Sequence, residues 1–165
     1  MTDRPYNVLF LCTGNSARSI MAEALLNTLG AGRFHAYSAG SQPSGAVQPM
    51  AAELAQGMGY PAERMRSKSW DEFAGEDAPV MDIVITVCDS AAGESCPYWP
   101  GHPALAHWGV PDPVAAVGDE SAKRHAFVGA FAILRRRIEL LLALPMQQLD
   151  HLTAQSRLRD IGQVQ

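Results

Sequence analysis

The sequence predicts an α/β fold: a single three-layer domain with a four-stranded parallel sheet flanked by helices. Three observations lead there. Short apolar or β-branched runs, Asn7 to Cys12 and Asp82 to Val87 above all, alternate with longer stretches whose apolar residues recur at helical spacing. Strands joined by helical crossovers form a parallel sheet covered on both faces. The 165 residues, 47% of them hydrophobic, suit one domain with a sizeable core.

Asn7 to Cys12 reads as a buried first strand. Ser16 to Leu29 reads as a helix with Met21, Ala24, Leu25 and Leu29 on one side, ended by Gly30 and Gly32. Phe34 to Ser38 is a second short strand, and Ala46 to Met58 a second helical stretch closed by Gly59 and Pro61. Trp70 to Phe73 forms a short helix. Asp82 to Val87 is the clearest strand, and Leu105 to Trp108 the fourth. Residues 88 to 119, rich in Gly, Pro and Ala, read as a long irregular connection. Ala122 to Leu144 is a long helix whose apolar side carries Phe127, Phe131, Leu134, Ile138, Leu141 and Leu142. The domain is expected to span 1–145. Residues 146–165 read as a C-terminal helical extension packing through Leu149, Leu152, Leu158 and Ile161.

The net charge is -4, and no concentration of Lys and Arg suggests nucleic acid. The densest basic run, Arg135-Arg136-Arg137, suits the solvated face of a helix near its C-terminal end. No stretch approaches the ~20 apolar residues of a membrane span, and no signal-peptide pattern is visible. The expectation is a cytoplasmic protein, a monomer or weak dimer. Three cysteines in a reducing compartment do not make a disulfide framework, so reactive or buried thiols remain. A zinc site built from His102, His107 and the cysteines fits no common spacing, and no metal ligands are assigned.

In open α/β sheets, sites form beyond the carboxyl ends of the strands. Cys12 ends the first strand and Cys88 the third, so both fall on one edge of the sheet. Between Cys12 and Arg18 lie Thr13, Gly14, Asn15, Ser16 and Ala17. Gly14 and Asn15 tolerate left-handed backbone. A loop curled in this way turns successive N–H groups inward as an anion nest, with a helix N-terminus aimed at the same spot. Arg18 can grip two oxygens of a tetrahedral oxyanion. The same field favours thiolate at Cys12, whose pKa is expected to fall well below ~8.5, and Ser19 can donate a further hydrogen bond to the sulfur. The loop thus holds a nucleophile beneath a bound oxyanion.

The stretch VLFLCTGNSARSIMAEALLN resembles the phosphate-binding loop of the low-molecular-weight protein tyrosine phosphatase superfamily, and SAG at 38–40 and PDP at 111–113 fit it. VCDSAAGESCPYWPG and AHWGVPDP resemble its arsenate reductase branch, and the resemblance runs from about Tyr6 to about Leu144. It implies Cys12 as nucleophile and Thr13 to Ser19 as the oxyanion cradle. It implies Asp112, bracketed by prolines, as general acid; Asp82 and Asp89, the latter beside Cys88, are weaker candidates on the sequence itself. It also implies a relay in which Cys88 attacks the Cys12 adduct and Cys96 then attacks Cys88.

The resemblance implies no tightly bound cofactor. It calls for an external thiol reductant, either thioredoxin or glutathione with glutaredoxin. Asn15 and Ser38 are expected to brace the loop by hydrogen bonds; the alternative that the resemblance implies is a monovalent cation at Asn15, Glu23 and Ser38, with Asp71 or Glu72 supplying a further carboxylate. His107 and Trp108 are expected to pack or hydrogen-bond beneath the acid loop. The alternative is a phosphatase acting on aryl phosphates through a cysteinyl-phosphate. Its tyrosine-specific members carry aromatic residues after the acid, where this chain has Val114-Ala115-Ala116. A non-catalytic anion dock is the reading from another class, and it has no need of a nucleophile.

Overall fold

In a computed structural model, which describes residues 5–75, 77–88 and 102–164, four parallel strands form one sheet in the order β2-β1-β3-β4. These are β1 (Tyr6–Cys12), β2 (Phe34–Gly40), β3 (Ile83–Thr86) and β4 (Ala104–His107). The helices are α1 (Arg18–Leu29), α2 (Pro49–Gly57), α3 (Glu120–Leu142) and α4 (His151–Ile161). The predicted fold class is the observed one.

β1 lies inside the sheet and is covered on both faces, which is why it reads as an unbroken apolar run. Its side chains alternate between two clusters. Val8 and Phe10 join Met21, Leu25, Leu134 and Ile138 on the helical face. Leu9 and Leu11 join Phe73, Met81 and Val84 on the other, where the 3₁₀ turn Trp70–Phe73 packs. The register sets Cys12 beside Gly40 and Leu11 beside Thr86, so the carboxyl ends of β1, β2 and β3 finish level. The sheet edge predicted for Cys12 and Cys88 is therefore real.

Several boundaries differ from the sequence reading. α1 begins at Arg18 rather than Ser16, because Ala17 before it has φ -138° and ψ -78°. α2 begins at Pro49 rather than Ala46; proline suits the first helical turn and keeps Gln48 extended, at φ -64° and ψ 131°. α3 begins at Glu120, capped by the Asp119 carboxylate, which accepts from the Ala122 N–H at 2.9 Å. β2 runs two residues further, to Gly40.

Two side chains depart from their expected surroundings. Leu152 is 75% exposed, while Ala154, Leu158 and Ile161 form the buried face of α4. Arg137 is 2% exposed, not solvated like Arg135 and Arg136 beside it.

α4 runs along the outer side of β4 and stands in for a missing strand. The Leu105 N–H donates to Gln155 Oε1 at 2.9 Å, and Arg159 Nε donates to the Leu105 carbonyl at 3.2 Å. An uncovered edge would present these groups to other chains. Among the described residues no helix is long and apolar enough to cross a membrane.

The end of β2 is pressed against the loop that follows β1. A Cβ at Gly40 would lie 2.4 Å from the Thr13 carbonyl oxygen and 3.0 Å from the Asn15 nitrogen. Gly40→Ala is expected to cost about 1–3 kcal/mol by forcing the two backbones apart. A lowered urea midpoint at unchanged m-value is the measurement that checks it.

Candidate active site

The loop from Cys12 to Arg18 is fixed from outside by its carbonyls. The Thr13 carbonyl accepts from the Gln42 N–H (3.0 Å) and the Ser16 carbonyl from the Gln48 N–H (2.8 Å). The Gly14 carbonyl accepts from the Ser44 N–H (3.0 Å) and from Ser67 Oγ (3.0 Å). A trans peptide points its N–H opposite to its C=O. The N–H groups of Gly14, Asn15 and Ala17 therefore turn away from those donors. Asn15 alone takes the left-handed conformation, at φ 46°; Gly14, also expected there, does not.

The cavity holds about 250 Å³ and is lined by residues 12–14 and 16–18, with Asp112 and Val114 above them. Arg18 opens α1 and spans the two sides. Its Nη1 donates to the Val110 carbonyl at 2.9 Å, and its Nη2 lies 3.7 Å from Asp112 Oδ2. Asp112 caps the 3₁₀ turn Pro113–Ala115, accepting from the Val114 N–H at 3.0 Å. That cap orients its carboxylate, and the other oxygen faces Arg18. Sequence positions 12, 18 and 112 thus meet at one cavity.

Cys12 and Cys88 are both buried thiols, at 5% and 3% exposure. The Cys88 sulfur lies 3.6 Å from Thr13 Oγ1 and within hydrogen-bonding reach of Cys12. This second thiol reverses the expectation for Cys12. Its hydrogen bond with Cys88 and then burial push the Cys12 thiol above its ordinary range, while Arg18 and the Thr13 backbone pull it down. Two buried sulfurs side by side cannot both be ionised, so the pair holds one proton firmly. Cys96 and Asp89 lie outside the described residues. Asp82 is at the other end of β3, where Oδ2 accepts from the Asn7 N–H at 2.7 Å, and takes no part in the cavity.

Asn15, Glu23 and Ser38 are brought together, and Asn15 and Ser38 act through hydrogen bonds as expected; where the alternative put a cation, Lys68 occupies the centre. Its Nζ donates to the Arg66 carbonyl (2.9 Å), Ser38 Oγ (3.2 Å) and Asn15 Oδ1 (3.5 Å), and lies 3.8 Å from Glu23 Oε1. The donor set therefore does not suit an added cation, because an ammonium already fills it. Glu72, offered as a further ligand, is paired with Arg66 at 2.6 and 3.0 Å instead, and the Asp71 N–H, in the turn Trp70–Phe73, donates to the capping Ser69 Oγ at 3.1 Å. Burial pulls the Lys68 ammonium below its usual range, opposed by Glu23. Ser38 Oγ donates to Glu23 Oε1 at 2.8 Å, and the Tyr60 hydroxyl donates to Glu23 Oε2; burial first, and Glu23 second, push that phenol up. Sequence reasoning missed Lys68, Tyr60 and the Val110 carbonyl. Lys68 sits in the polar run Arg66-Ser67-Lys68-Ser69, which carries no sign of burial. His107 and Trp108 behave as expected: Thr86 Oγ1 and His107 Nδ1 are 2.7 Å apart, and Trp108 is fully buried against Phe10.

Two predictions follow the two buried clusters. Lys68→Met leaves Glu23 buried without its cation and is expected to cost about 3 kcal/mol. Potassium chloride should restore part of that loss in thermal melts, whereas the wild-type midpoint should not depend on potassium. Cys88→Ala removes the largest influence holding the Cys12 proton, so the thiolate should form at lower pH. The pH midpoint of Cys12 alkylation by iodoacetamide should then shift downward; an upward shift would contradict this reading.

Comparison with known proteins agrees with this geometry. The family described as low molecular weight phosphotyrosine protein phosphatase matches residues 7–155. The arsenate reductase of Bacillus subtilis is 36% identical over 116 residues, 70% of this chain and 80% of that protein. That of Halalkalibacterium halodurans is 35% identical over 120 residues, 73% and 83% of the two chains. An arsenate reductase solved in a phosphate-binding state superposes with a TM-score of 0.66 at 29% identity, covering 84% of this chain and 97% of its own. The arsenate reductase of Archaeoglobus fulgidus gives 0.58 at 29% identity, covering 80% and 98%. Matched from β1 into α4 and carrying the loop, arginine and aspartate in one cavity, this chain belongs to the low molecular weight phosphotyrosine protein phosphatase family, on its arsenate reductase branch.

Proposed function

We propose that this chain reduces arsenate to arsenite by a thiol–disulfide relay and so contributes to arsenic detoxification. The observation that carries the reading is the second buried thiol, Cys88, against Cys12 on the floor of the cavity. Ester hydrolysis has no use for it. Reduction of As(V) to As(III) takes two electrons, and two thiols release two electrons in forming one disulfide.

In this reading Arg18 and the loop N–H groups hold the oxyanion, with the N-terminus of α1 behind them. The Cys12 thiolate attacks arsenic; an S–As bond forms, an As–O bond breaks, and Asp112 gives its proton to the oxygen leaving as water. For that attack the one proton the pair holds must reside on Cys88, the arrangement that Arg18 and the Thr13 backbone favour. Once the Cys12 sulfur is bonded to arsenic, that restraint is gone and Cys88 can ionise. Its thiolate attacks the Cys12 sulfur, the S–As electron pair stays on arsenic, and arsenite leaves a Cys12–Cys88 disulfide. Cys96 then attacks Cys88, freeing Cys12. An external thiol reductant, thioredoxin or glutathione with glutaredoxin, reduces the final Cys88–Cys96 pair.

The test is arsenate-dependent NADPH oxidation by the purified chain with each donor system and its reductase. Wild type should turn over with at least one, and Cys12→Ser and Cys88→Ser should abolish turnover. Loss on Cys96→Ser supports the third step, and retention with glutaredoxin removes that step alone. No reduction with either system, beside brisk aryl phosphate hydrolysis, would replace this reading with the phosphatase.

A further inference from the structure

We propose that the segment following α4 positions the acid loop of the active site, with Arg137 as the positioning residue through which it acts. The proposal rests on the roles given above to Arg18 and Asp112.

Arg137 sits on α3 with 2% of its surface exposed, and nothing in oxyanion chemistry calls for it there. Burying a guanidinium is costly, and an apolar residue of similar volume would fill the slot without that cost. What the guanidinium adds is a rigid planar fork of donors. Its Nη1 donates to the Gly109 carbonyl and its Nε to the Val164 carbonyl, both at 3.0 Å. One side chain therefore ties the chain beyond α4 to the strand exit at Gly109.

The next carbonyl along that exit is Val110, which holds Arg18 Nη1 at 2.9 Å; two residues further is Asp112, 3.7 Å from Arg18 Nη2. A shift of the Gly109–Val110 peptide would move both the oxyanion-gripping arginine and the acid. The same exit is held once more by α4 itself and once by the segment after it. Trp108 Nε1 donates to the Leu158 carbonyl at 2.8 Å. Gly162 approaches so closely that a Cβ there would fall 2.3 Å from the His107 carbonyl oxygen. From the sheet side, the exit has the backbone bonds Trp108 N–H to Thr86 (2.7 Å) and Val110 N–H to Val87 (3.1 Å). Gly162 and Val164 lie beyond residue 155, where the family match ends.

The experiment compares the full chain with Arg137→Met, Arg137→Lys, a chain ending at Ile161, and the exposed neighbour Arg136→Met as control. Arsenate turnover, phosphate affinity by calorimetry and the thermal midpoint are measured on each. A misplacement near 1 Å in a reacting constellation costs up to about 100-fold. Arg137→Met should lower kcat about 10- to 100-fold and weaken phosphate binding several-fold at temperatures where it is folded. Arg137→Lys, which keeps charge but loses the fork, should recover only part of this. The shortened chain should lose kcat in the same direction, and Arg136→Met should match wild type. Wild-type kcat, KM and phosphate affinity in both the Arg137→Met and the shortened chains would overturn the proposal, even with lower thermal midpoints. If Arg137→Met does not fold, the shortened chain decides. A wild type without arsenate turnover would instead strike the function proposed above, and the phosphate affinities would still report the position of Arg18.

Discussion

The active loop depends on the side-chain amide of Asn15. Its residue is the one in the loop with left-handed backbone, and its amide fixes that turn from both ends. Nδ2 donates to Ser19 Oγ at 2.8 Å on the first turn of α1, and Oδ1 accepts from the Lys68 N–H at 2.8 Å. Asparagine tolerates this backbone better than other non-glycine residues, and a buried amide must be satisfied on both its polar atoms. The curvature of the loop and the start of α1 follow from that one residue. Lys68 extends the arrangement, since its ammonium joins the loop through Asn15, the sheet through Ser38 and α1 through Glu23.

Around the active loop, ionisable groups form two separate buried sets among the described residues. Beneath the loop, a lysine sits among oxygens from Asn15, Ser38, Arg66 and Glu23. On the cavity floor, Cys12 stands against a second buried thiol, Cys88, and that contact with burial opposes the donors that favour thiolate. The first set stabilises a shape. The second imposes an order, since sulfurs that cannot ionise together act in succession.

Much of this was legible from residue order alone. β1 and β3 announce themselves because strands buried on both faces cannot afford polar positions. The Cys12 to Arg18 loop is readable because its constraints are local. Asp112 was found through its prolines and the family resemblance, and the level register of the strands delivers Cys88. What escaped the reading was set by tertiary contact. Lys68 and Arg137 lie in polar runs and are buried by distant segments. The direction of the Cys12 shift was misjudged because donors near in sequence were counted and a sulfur 76 positions away was not. Ser16 was placed in α1 because composition cannot separate the last loop residues from the first helical turn.

The cover that α4 lays over β4 also has a consequence in time. β4 ends at His107, and α4 does not begin until His151. During synthesis, β4 can pair with β3 well before the helix that closes its outer side has been made. Through that interval the nascent sheet has an open flank with the Leu105 N–H and carbonyl unclaimed by Gln155 and Arg159, the kind of edge that recruits foreign strands. The contact that covers this edge therefore forms later in synthesis than the strand it protects, and until it forms the edge is open to foreign strands.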